Sequence, residues 1–224
     1  MNILKHIALA PDGNRRWARK NGKTVVEGHA AGAENISKFI KNCFNLGIPQ
    51  VTVWLMSTEN LNRPKEELDA LFKLAEYHFD RLFKEMDRDY KARVRFYGEL
   101  ERLPKKIREK MKTVEKRSNK YTDRKVNVLI AYGGRHEISE AFNKILKKGL
   151  KKVDETTIKD NLFVTDDVDL VIRAGAMKRL SGFLPFQTVY SELYFTDTLW
   201  PDFGKEELLK AVKWFEDMKR NFGK

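Results

Sequence analysis

Short apolar runs of strand length alternate along the chain with longer segments in which apolar residues recur at every third or fourth position. The first pattern predicts buried strands, and the second predicts amphipathic helices. The predicted strands span residues 7–10, 51–56, 94–97, 126–132, 168–173 and 192–195, and the predicted helices span residues 32–46, 64–86, 104–118, 135–147 and 205–222. Because strands that alternate with helices form parallel sheets, we expect one α/β domain over residues 1–224, with an open, mostly parallel six-stranded sheet flanked by helices.

The length and the cysteine content exclude several classes of protein. The 224 residues, of 26.2 kDa, suit one globular domain, and the longest apolar runs are far shorter than the roughly 18–20 residues that span a bilayer. The first residues carry no apolar export signal, so a cytoplasmic location is expected. The single cysteine, Cys43, excludes a disulfide framework, and its place in an apolar helical pattern predicts a buried side chain.

The charge balance indicates an anionic partner. Lysine and arginine number 44 against 32 aspartate and glutamate residues, which gives a net charge of +12. Much of the surplus lies in lysine-rich stretches at residues 105–125 and 144–152, whose spacing is typical of solvated helix faces. Composition alone does not separate a nucleic acid from an anionic membrane as the partner. These stretches lack the interleaved aromatic residues that stack on bases, however, so no nucleic acid is expected as a partner.

The candidate chemistry lies in the segments that directly follow the predicted strands, since ligands of open α/β sheets bind outside the carboxyl ends of the strands. These segments are residues 12–17, 57–64, 133–135 and 173–181, and all four are rich in arginine and small residues. Guanidinium groups and backbone N–H groups freed by glycine are what a diphosphate requires. A lone carboxylate such as that of Asp12 suits a magnesium ion that keeps most of its waters.

The familiar nucleotide-binding motifs do not fit the chain. Gly22-Lys23-Thr24 matches the end of a phosphate-binding loop, but the earlier glycine of that motif would fall at Trp17. No G-x-G-x-x-G motif follows a predicted strand. The four histidines are too far apart in sequence to indicate a metal cluster, and only His29, within the glycine-rich segment 28–32, is a functional candidate.

Seven segments resemble, in order and spacing, the cis-prenyltransferase family of undecaprenyl diphosphate synthases, also called Z-isoprenyl diphosphate synthases. The segments are HIALAPDGNRRWA (6–18), GHAAG (28–32), STEN (57–60), RP (63–64), YGGR (132–135), DLVIR (169–173) and SELYFTDTLWPDF (191–203). They extend over nearly the whole chain. The resemblance implies a homodimeric, magnesium-dependent enzyme with an apolar tunnel between the sheet and two helices, which condenses an allylic diphosphate with isopentenyl diphosphate.

The resemblance also implies roles for individual residues. Asp12 is implied as a catalytic residue that positions Mg²⁺ on the allylic diphosphate, and Asn60 as a catalytic residue on a loop that closes over the substrates. Glu192 is implied as a metal-linked carboxylate, contributed from the neighbouring subunit or at the end of its own strand. The residues implied in substrate binding are Gly13, Asn14, Arg15, Arg16, Trp17, His29, Ser57, Glu59, Arg63, Arg173, Arg179 and Ser181. The last three match the isopentenyl diphosphate site.

Purely structural roles stay open for some of these positions. Asn60 and Asn62 also suit a turn or a helix cap, Trp17 also suits the core, and Arg135 also suits a surface ion pair. The sequence does not decide between these roles and the functional ones.

Several positions depart from the pattern of the family, including Ala131 and Leu61, and others lie near the two diphosphates. Val25 stands where most members have an arginine of the donor site, and Asn221 stands where a carboxyl-terminal Arg-x-Gly motif has its arginine. Met177 and Gly182 replace polar residues near the second substrate. A weakened acceptor site leaves two alternatives open: prenyl transfer to a different acceptor, such as an alcohol or a second allylic diphosphate, and a noncatalytic partner subunit of a prenyltransferase.

Leu55 is the residue that we expect to limit the length of the product. It lies two residues before Ser57, on the strand face shared with Val53, which should line the tunnel. Because many long-chain members have alanine at this position, the larger leucine predicts a short or limited chain. The apolar product would also bring the enzyme into peripheral contact with a membrane.

Overall fold

A computed structural model describes residues 3–220, apart from the side chains of residues 82, 83 and 85. Within that range the strands are β1 (His6–Ala10), β2 (Gln50–Trp54), β3 (Ala92–Tyr97), β4 (Arg124–Leu129), β5 (Leu170–Arg173) and β6 (Glu192–Phe195). The α-helices are α1 (Asn14–Lys20), α2 (Val25–Asn45), α3 (Lys65–Glu85), α4 (Lys105–Ser118), α5 (Gly134–Lys147), α6 (Glu155–Asn161) and α7 (Lys205–Asp217). Short 3₁₀ turns cover Glu59–Asn62, Leu100–Arg102 and Trp200–Asp202, and a π-helical turn covers Met86–Tyr90.

The strands form one sheet in the order β3-β4-β2-β1-β5-β6, and every strand pair in it is parallel. This confirms the predicted α/β class and the six-stranded sheet. The connection from β1 leads to β2 on one side, whereas the connection from β4 crosses over to β5 on the other side of β1. The order in which strands are added to the sheet therefore reverses between β1 and β5. Ligands of open α/β sheets bind beyond the carboxyl ends of the strands at such a point.

Most predicted elements are present, but several begin or end elsewhere. β2 and β4 end two and three residues earlier than predicted, and β4 cannot continue through Ala131, whose φ of +49° lies outside the range of a strand. α2 begins at Val25 rather than at residue 32, because Thr24 and Glu27 form a reciprocal capping box. The short polar helix α6 was not predicted. α7 ends at Asp217, and the last two residues of its predicted range, 221 and 222, lie outside the described residues.

Both faces of the sheet are covered, so the central strand is buried on both sides. Ile7 and Leu9 of β1 pack into the larger core together with apolar residues of α2, α3, α4 and α7, whereas Ala8 and Ala10 pack into a smaller core on the opposite face. This division follows from the two-residue period of a strand. Cys43 is buried in the larger core, as predicted. No helix in residues 3–220 is long and apolar enough to cross a bilayer.

His6 is a hydrogen-bonded histidine of the core. Its Nδ1 lies 2.8 Å from the carbonyl oxygen of Asp167, and its Nε2 lies 2.7 Å from the Oγ1 of Thr52. Burial lowers the pKa of His6 to about 4, although the hydrogen bond to Asp167 and the nearby Asp166 and Asp169 carboxylates act in the opposite direction. The imidazole is therefore neutral in the folded protein near pH 7.

We predict that His6 makes the stability depend on pH between about 6.5 and 4. The unfolded imidazole has its ordinary pKa of about 6.5 and binds a proton below that pH, whereas the folded ring stays neutral down to about pH 4. The unfolded state therefore binds more protons in this window, and the free energy of unfolding falls as the pH falls, by roughly 3 kcal/mol across the window. Urea denaturation followed by circular dichroism at several pH values measures this dependence.

The matched variants are His6→Gln, which removes the buried ring, and His136→Gln, which changes a half-buried ring on α5. The first should flatten the pH dependence, and the second should leave it in place. An unchanged slope in folded His6→Gln protein would show that other groups cause it.

Candidate active site

A cavity of about 400 Å³ opens at the carboxyl ends of β1 and β2 and extends between α2 and α3. Its lining has two parts, a polar mouth and a mainly apolar interior. The mouth is lined by Asp12, Gly13, Asn14, Arg15, Arg16, Arg19, His29, Asn60 and Arg63. The interior is lined mainly by Ile36, Leu55, Met56, Leu71, Phe72, Leu74, Ala75, Phe79 and Ile130. Such a compartment suits a ligand with an anionic head and a hydrocarbon tail.

The apolar interior follows from the direction of the two helices. α2 and α3 each begin near the carboxyl end of a strand and run side by side towards the opposite edge of the sheet. The apolar stripe of α3, which includes Leu71, Ala75 and Phe79, therefore leads away from the mouth. At about 1.5 Å per residue, Phe79 lies roughly 12 Å further along the helix axis than Leu71.

The Asp12 carboxylate lies between arginines from two separate segments. Its Oδ1 accepts a hydrogen bond from the Nη2 of Arg16 at 3.0 Å, and its Oδ2 accepts one from the Nη2 of Arg173 at 3.1 Å. The register of the parallel strands explains the second contact, because Ala10 of β1 lies opposite Arg173, the last residue of β5. The structure thus brings together two predicted site residues that are 161 positions apart in the chain.

The Arg173 guanidinium is buried and only partly satisfied. Burial lowers the pKa of Arg173, the Asp12 carboxylate opposes this shift, and the nearby Arg179 and Arg16 add to it. The Nη1 of Arg173 donates to the Oγ of Ser181 at 3.4 Å, and its Nε has no hydrogen-bond partner. Arg179 and Ser181 are exposed, and neither they nor Arg173 line the cavity. An anion bound beside these three residues would provide a partner for the unpaired donor.

Close packing of the backbone holds α1 and α2 against each other at the mouth. Gly13, which precedes α1, has a φ of +110°, and a Cβ there would lie 2.8 Å from the Cδ2 of Leu199. A Cβ on Gly32 would clash with the Oδ1 of Asn14, and the carbonyl oxygen of Gly32 accepts a 2.8 Å hydrogen bond from the Nε1 of Trp200. Only glycine fits at these two positions without a shift of the neighbouring side chains.

His29 and Arg63 converge on the carboxylate of Glu67, in the first turn of α3. The Oε1 of Glu67 lies 3.2 Å from the Nη1 of Arg63 and 3.6 Å from the Nε2 of His29, and the Nδ1 of His29 lies 3.4 Å from the Nδ2 of Asn14. Burial and then the positive charge of Arg63 lower the pKa of His29, and Glu67 opposes them. Sequence reasoning missed Glu67, although its four-residue spacing from Arg63 across a helix start was a usable signal.

Ser57 and Asn60 form a closed turn at the start of the loop that leads to α3. The backbone N–H of Ser57 donates to the Oδ1 of Asn60 at 3.2 Å, and the backbone N–H of Asn60 donates to the Oγ of Ser57 at 3.3 Å. Asn60 therefore stabilises a turn, which is the structural role that its sequence position also suits. It lines the mouth of the cavity as well. Glu59 is exposed and outside the cavity lining, and hydrogen bonds from its own N–H and from Ser57 lower its pKa.

Trp17 and the departing positions lie away from the cavity or outside the described range. The Nε1 of Trp17 donates to the Oδ1 of Asp202 at 2.6 Å, and its ring does not line the cavity. Val25 begins α2 and does not line the cavity either. Asn221 lies outside the described residues.

Glu192 is not brought to Asp12 within one chain. It is the first residue of β6 and pairs with Leu170, the first residue of β5, so it lies at the amino edge of the sheet. There its Oε1 lies 3.5 Å from the Nε of Arg220. The interpretation that Glu192 reaches the metal from the end of its own strand is therefore wrong, because it stands at the start of that strand. A contribution across a subunit boundary stays a prediction.

The fold and the site together define an α/β protein in which one cavity joins an arginine-rich mouth to a mainly apolar interior. The sequence model of the undecaprenyl diphosphate synthase family matches residues 10–223. The chain is 43% identical to the tritrans,polycis-undecaprenyl-diphosphate synthase (geranylgeranyl-diphosphate specific) of Methanopyrus kandleri, over 99% of this chain and 85% of that protein. It is 42% identical to the isoprenyl transferase of Aquifex aeolicus, over 100% of this chain and 97% of that protein.

A solved structure agrees with these sequence relatives. The crystal structure of lavandulyl diphosphate synthase from Lavandula x intermedia, in complex with dimethylallyl diphosphate, matches with a TM-score of 0.94 and 34% identity, over 98% of both chains. The chain therefore belongs to the undecaprenyl diphosphate synthase family of cis-prenyltransferases. The predicted family and the predicted enzyme class, prenyltransferase, are both confirmed.

Proposed function

We propose that the enzyme condenses an allylic diphosphate with isopentenyl diphosphate to give a longer cis-prenyl diphosphate. The observation that carries this proposal is that an arginine-rich mouth and an apolar interior belong to one continuous cavity. The diphosphate would lie at the mouth and the hydrocarbon chain in the interior. The relatives support this substrate class, since one is specific for geranylgeranyl diphosphate and the lavender enzyme binds dimethylallyl diphosphate in its crystal structure.

The allylic diphosphate is assigned to the side of the mouth formed by Asn14, Arg15, Arg16 and His29. Cleavage of the allylic C–O bond moves negative charge onto the leaving diphosphate. Donors that bind this group more strongly as its charge grows lower the barrier. Arg16 is already held at the mouth by Asp12, so it needs little reorganisation to act in this way.

Isopentenyl diphosphate is assigned to Arg173, Arg179 and Ser181. The unpaired Nε of Arg173 and the proximity of Arg179 support an anion at this position. Since Asp12 bonds to both Arg16 and Arg173, the donor and acceptor diphosphates would lie side by side. The double bond of the acceptor would then reach the allylic carbon, a new C–C bond would form as the diphosphate leaves, and a proton would be lost from the acceptor.

Magnesium is the proposed metal. In the described part of the chain, no three His, Cys, Asp or Glu residues lie close enough to enclose a metal ion. The protein would therefore supply Asp12, and diphosphate oxygens and water would complete the coordination. So sparse a set of oxygen ligands fits Mg²⁺. When bound, the ion would neutralise charge on the departing diphosphate.

The first experiment is an incubation of the purified chain with Mg²⁺, isopentenyl diphosphate and dimethylallyl, geranyl, farnesyl or geranylgeranyl diphosphate, with products identified by mass spectrometry. Elongated prenyl diphosphates that disappear on chelation are expected. The same incubation with glycerol tests O-prenylation, the alternative acceptor chemistry. Absence of any prenyl transfer would contradict the proposal.

We predict that Asp12→Ala lowers kcat by about a thousandfold or more, because it removes the metal-binding carboxylate from the reacting end of the donor. The matched control is Asp160→Ala, which removes an exposed carboxylate on α6. This control should keep the wild-type rate. Circular dichroism shows whether both variants fold, and near wild-type turnover of folded Asp12→Ala protein would refute the assignment.

We also predict that Leu55→Ala shifts the products upward by at least one isoprene unit. Leu55 lines the interior of the cavity, so its truncation lengthens the space available to the growing chain. Leu209→Ala, at an exposed position of α7, is the control and should leave the product distribution unchanged. If Leu55→Ala also leaves it unchanged, the wall that limits the chain lies elsewhere, for example at the Phe72 or Phe79 side of α3.

The exposed edge strand β6 supports the proposed homodimer. Within residues 3–220, β6 pairs with β5 alone, and an unpaired strand edge favours association. Three large apolar side chains in β6 or just before it, Val189, Tyr190 and Leu193, are exposed to solvent. A partner chain at this edge would cover them and would also approach Glu192.

We predict that Val189→Glu shifts the chain from a dimer of twice 26.2 kDa to a monomer, because the new carboxylate would be buried without a partner. Light scattering coupled to gel filtration measures the mass. Leu46→Glu, at an exposed position after α2, is the control and should stay dimeric. A dimeric Val189→Glu variant would place the interface elsewhere.

A further inference from the structure

Arg19 lies in the last turn of α1 and lines the mouth of the cavity, but neither the sequence motifs nor the resemblance assign it a role. Residues four apart share one face of a helix, so Arg15 and Arg19 lie one above the other, about 6 Å apart along the axis. Arg16 lines the same opening. α1 therefore presents three arginines to one cavity.

The arginines of the mouth differ in their carboxylate partners. Arg16 forms an ion pair with Asp12, and Arg63 forms one with Glu67. Among residues 3–220, no carboxylate forms an ion pair with Arg15 or Arg19. These two guanidinium groups therefore keep an uncompensated charge beside the opening, and it is available to an anionic ligand.

We propose that Arg19 binds the terminal phosphate of the allylic diphosphate. The proposal rests on the donor site assigned above. Asn14, Arg15 and Arg16 stand at the start of α1, beside Asp12, where the allylic C–O bond would break. A diphosphate that extends from there along α1 carries its terminal phosphate towards Arg19, whose long side chain points back towards the start of the helix. The planar guanidinium fork can donate two hydrogen bonds to that phosphate.

The expected effect is mainly on substrate binding. The bond that breaks joins the allylic carbon to the first phosphate, so a contact to the terminal phosphate forms in the ground state and persists in the transition state. Loss of such a contact raises KM and leaves kcat nearly unchanged. For one charge-assisted contact we expect about a tenfold change, which corresponds to about 1.4 kcal/mol.

The test compares Arg19→Gln and Arg19→Lys with Lys20→Gln. Lys20 is the next residue, is exposed, and does not line the cavity, so its variant has the same change in net charge without the contact. Binding of geranylgeranyl thiolodiphosphate, an unreactive donor analogue, is measured by calorimetry. Geranylgeranyl monophosphate, which lacks the terminal phosphate, is measured in parallel.

Arg19→Gln should weaken binding of the diphosphate analogue about tenfold, Arg19→Lys should weaken it less, and Lys20→Gln should change it less than twofold. Binding of the monophosphate should be the same in all four proteins. An equal loss in Arg19→Gln and Lys20→Gln would overturn the proposal, since it would reflect net charge alone. An equal loss for monophosphate and diphosphate would also overturn it, because Arg19 would then not contact the terminal phosphate.

Failure of this proposal is distinct from failure of the proposed function. If the wild-type chain condenses its substrates but Arg19→Gln keeps the wild-type affinity and KM, only the role of Arg19 is refuted. If the wild-type chain does not transfer prenyl groups, the proposed function fails, and the calorimetric comparison of diphosphate with monophosphate still decides whether Arg19 binds a terminal phosphate.

Discussion

The ion pair between Asp12 and Arg173 is the interaction on which the site depends. The buried guanidinium of Arg173 stays charged but has lost most of its hydration, so an anionic partner is needed to offset the cost of burying the charge. Asp12 is that partner in this structure, at 3.1 Å. A diphosphate can replace the carboxylate without leaving the guanidinium unpaired. Because Arg173 is buried and positively charged, the end of β5 attracts anions.

That ion pair in turn depends on the parallel pairing of β1 and β5. With Ala10 opposite Arg173, the segments that follow both strands leave the sheet at the same edge. In an antiparallel pair the two carboxyl ends would lie at opposite edges. Parallel strands also require helical crossovers, so α2 and α3 both begin at this edge and run across one face. One topology thus places the polar head-group site and the apolar cavity end to end.

The features that could be predicted from the sequence are those encoded over a few neighbouring residues. Short apolar runs identified the strands, three-to-four-residue apolar spacing identified the long helices, and polar segments after strands identified Asp12 and Arg173. The missed features depend on contacts between distant segments. Glu192 belongs to a recognisable motif, but only the strand register shows that it lies at the amino edge. The spacing of Glu67 from Arg63 suggests their ion pair, but the approach of His29 to Glu67 needs α2 and α3 to pack together. Arg19 gains a role only through its place in the lining of the cavity.

The basic residues form two groups with different electrostatic effects, the lysines of the helix surfaces and the arginines of the cavity mouth. Many lysines lie on exposed helix faces and pair with carboxylates, as Lys210 does with Glu207 at 2.6 Å and Lys38 with Glu34 at 3.5 Å. Such pairs cancel locally and contribute little to stability or to the long-range field. Screening limits the reach of an exposed charge to about 8 Å at physiological salt. A ligand at the cavity is therefore attracted by the arginines of the mouth, above all by those without a carboxylate partner, and the net charge of +12 says little about which anion binds there.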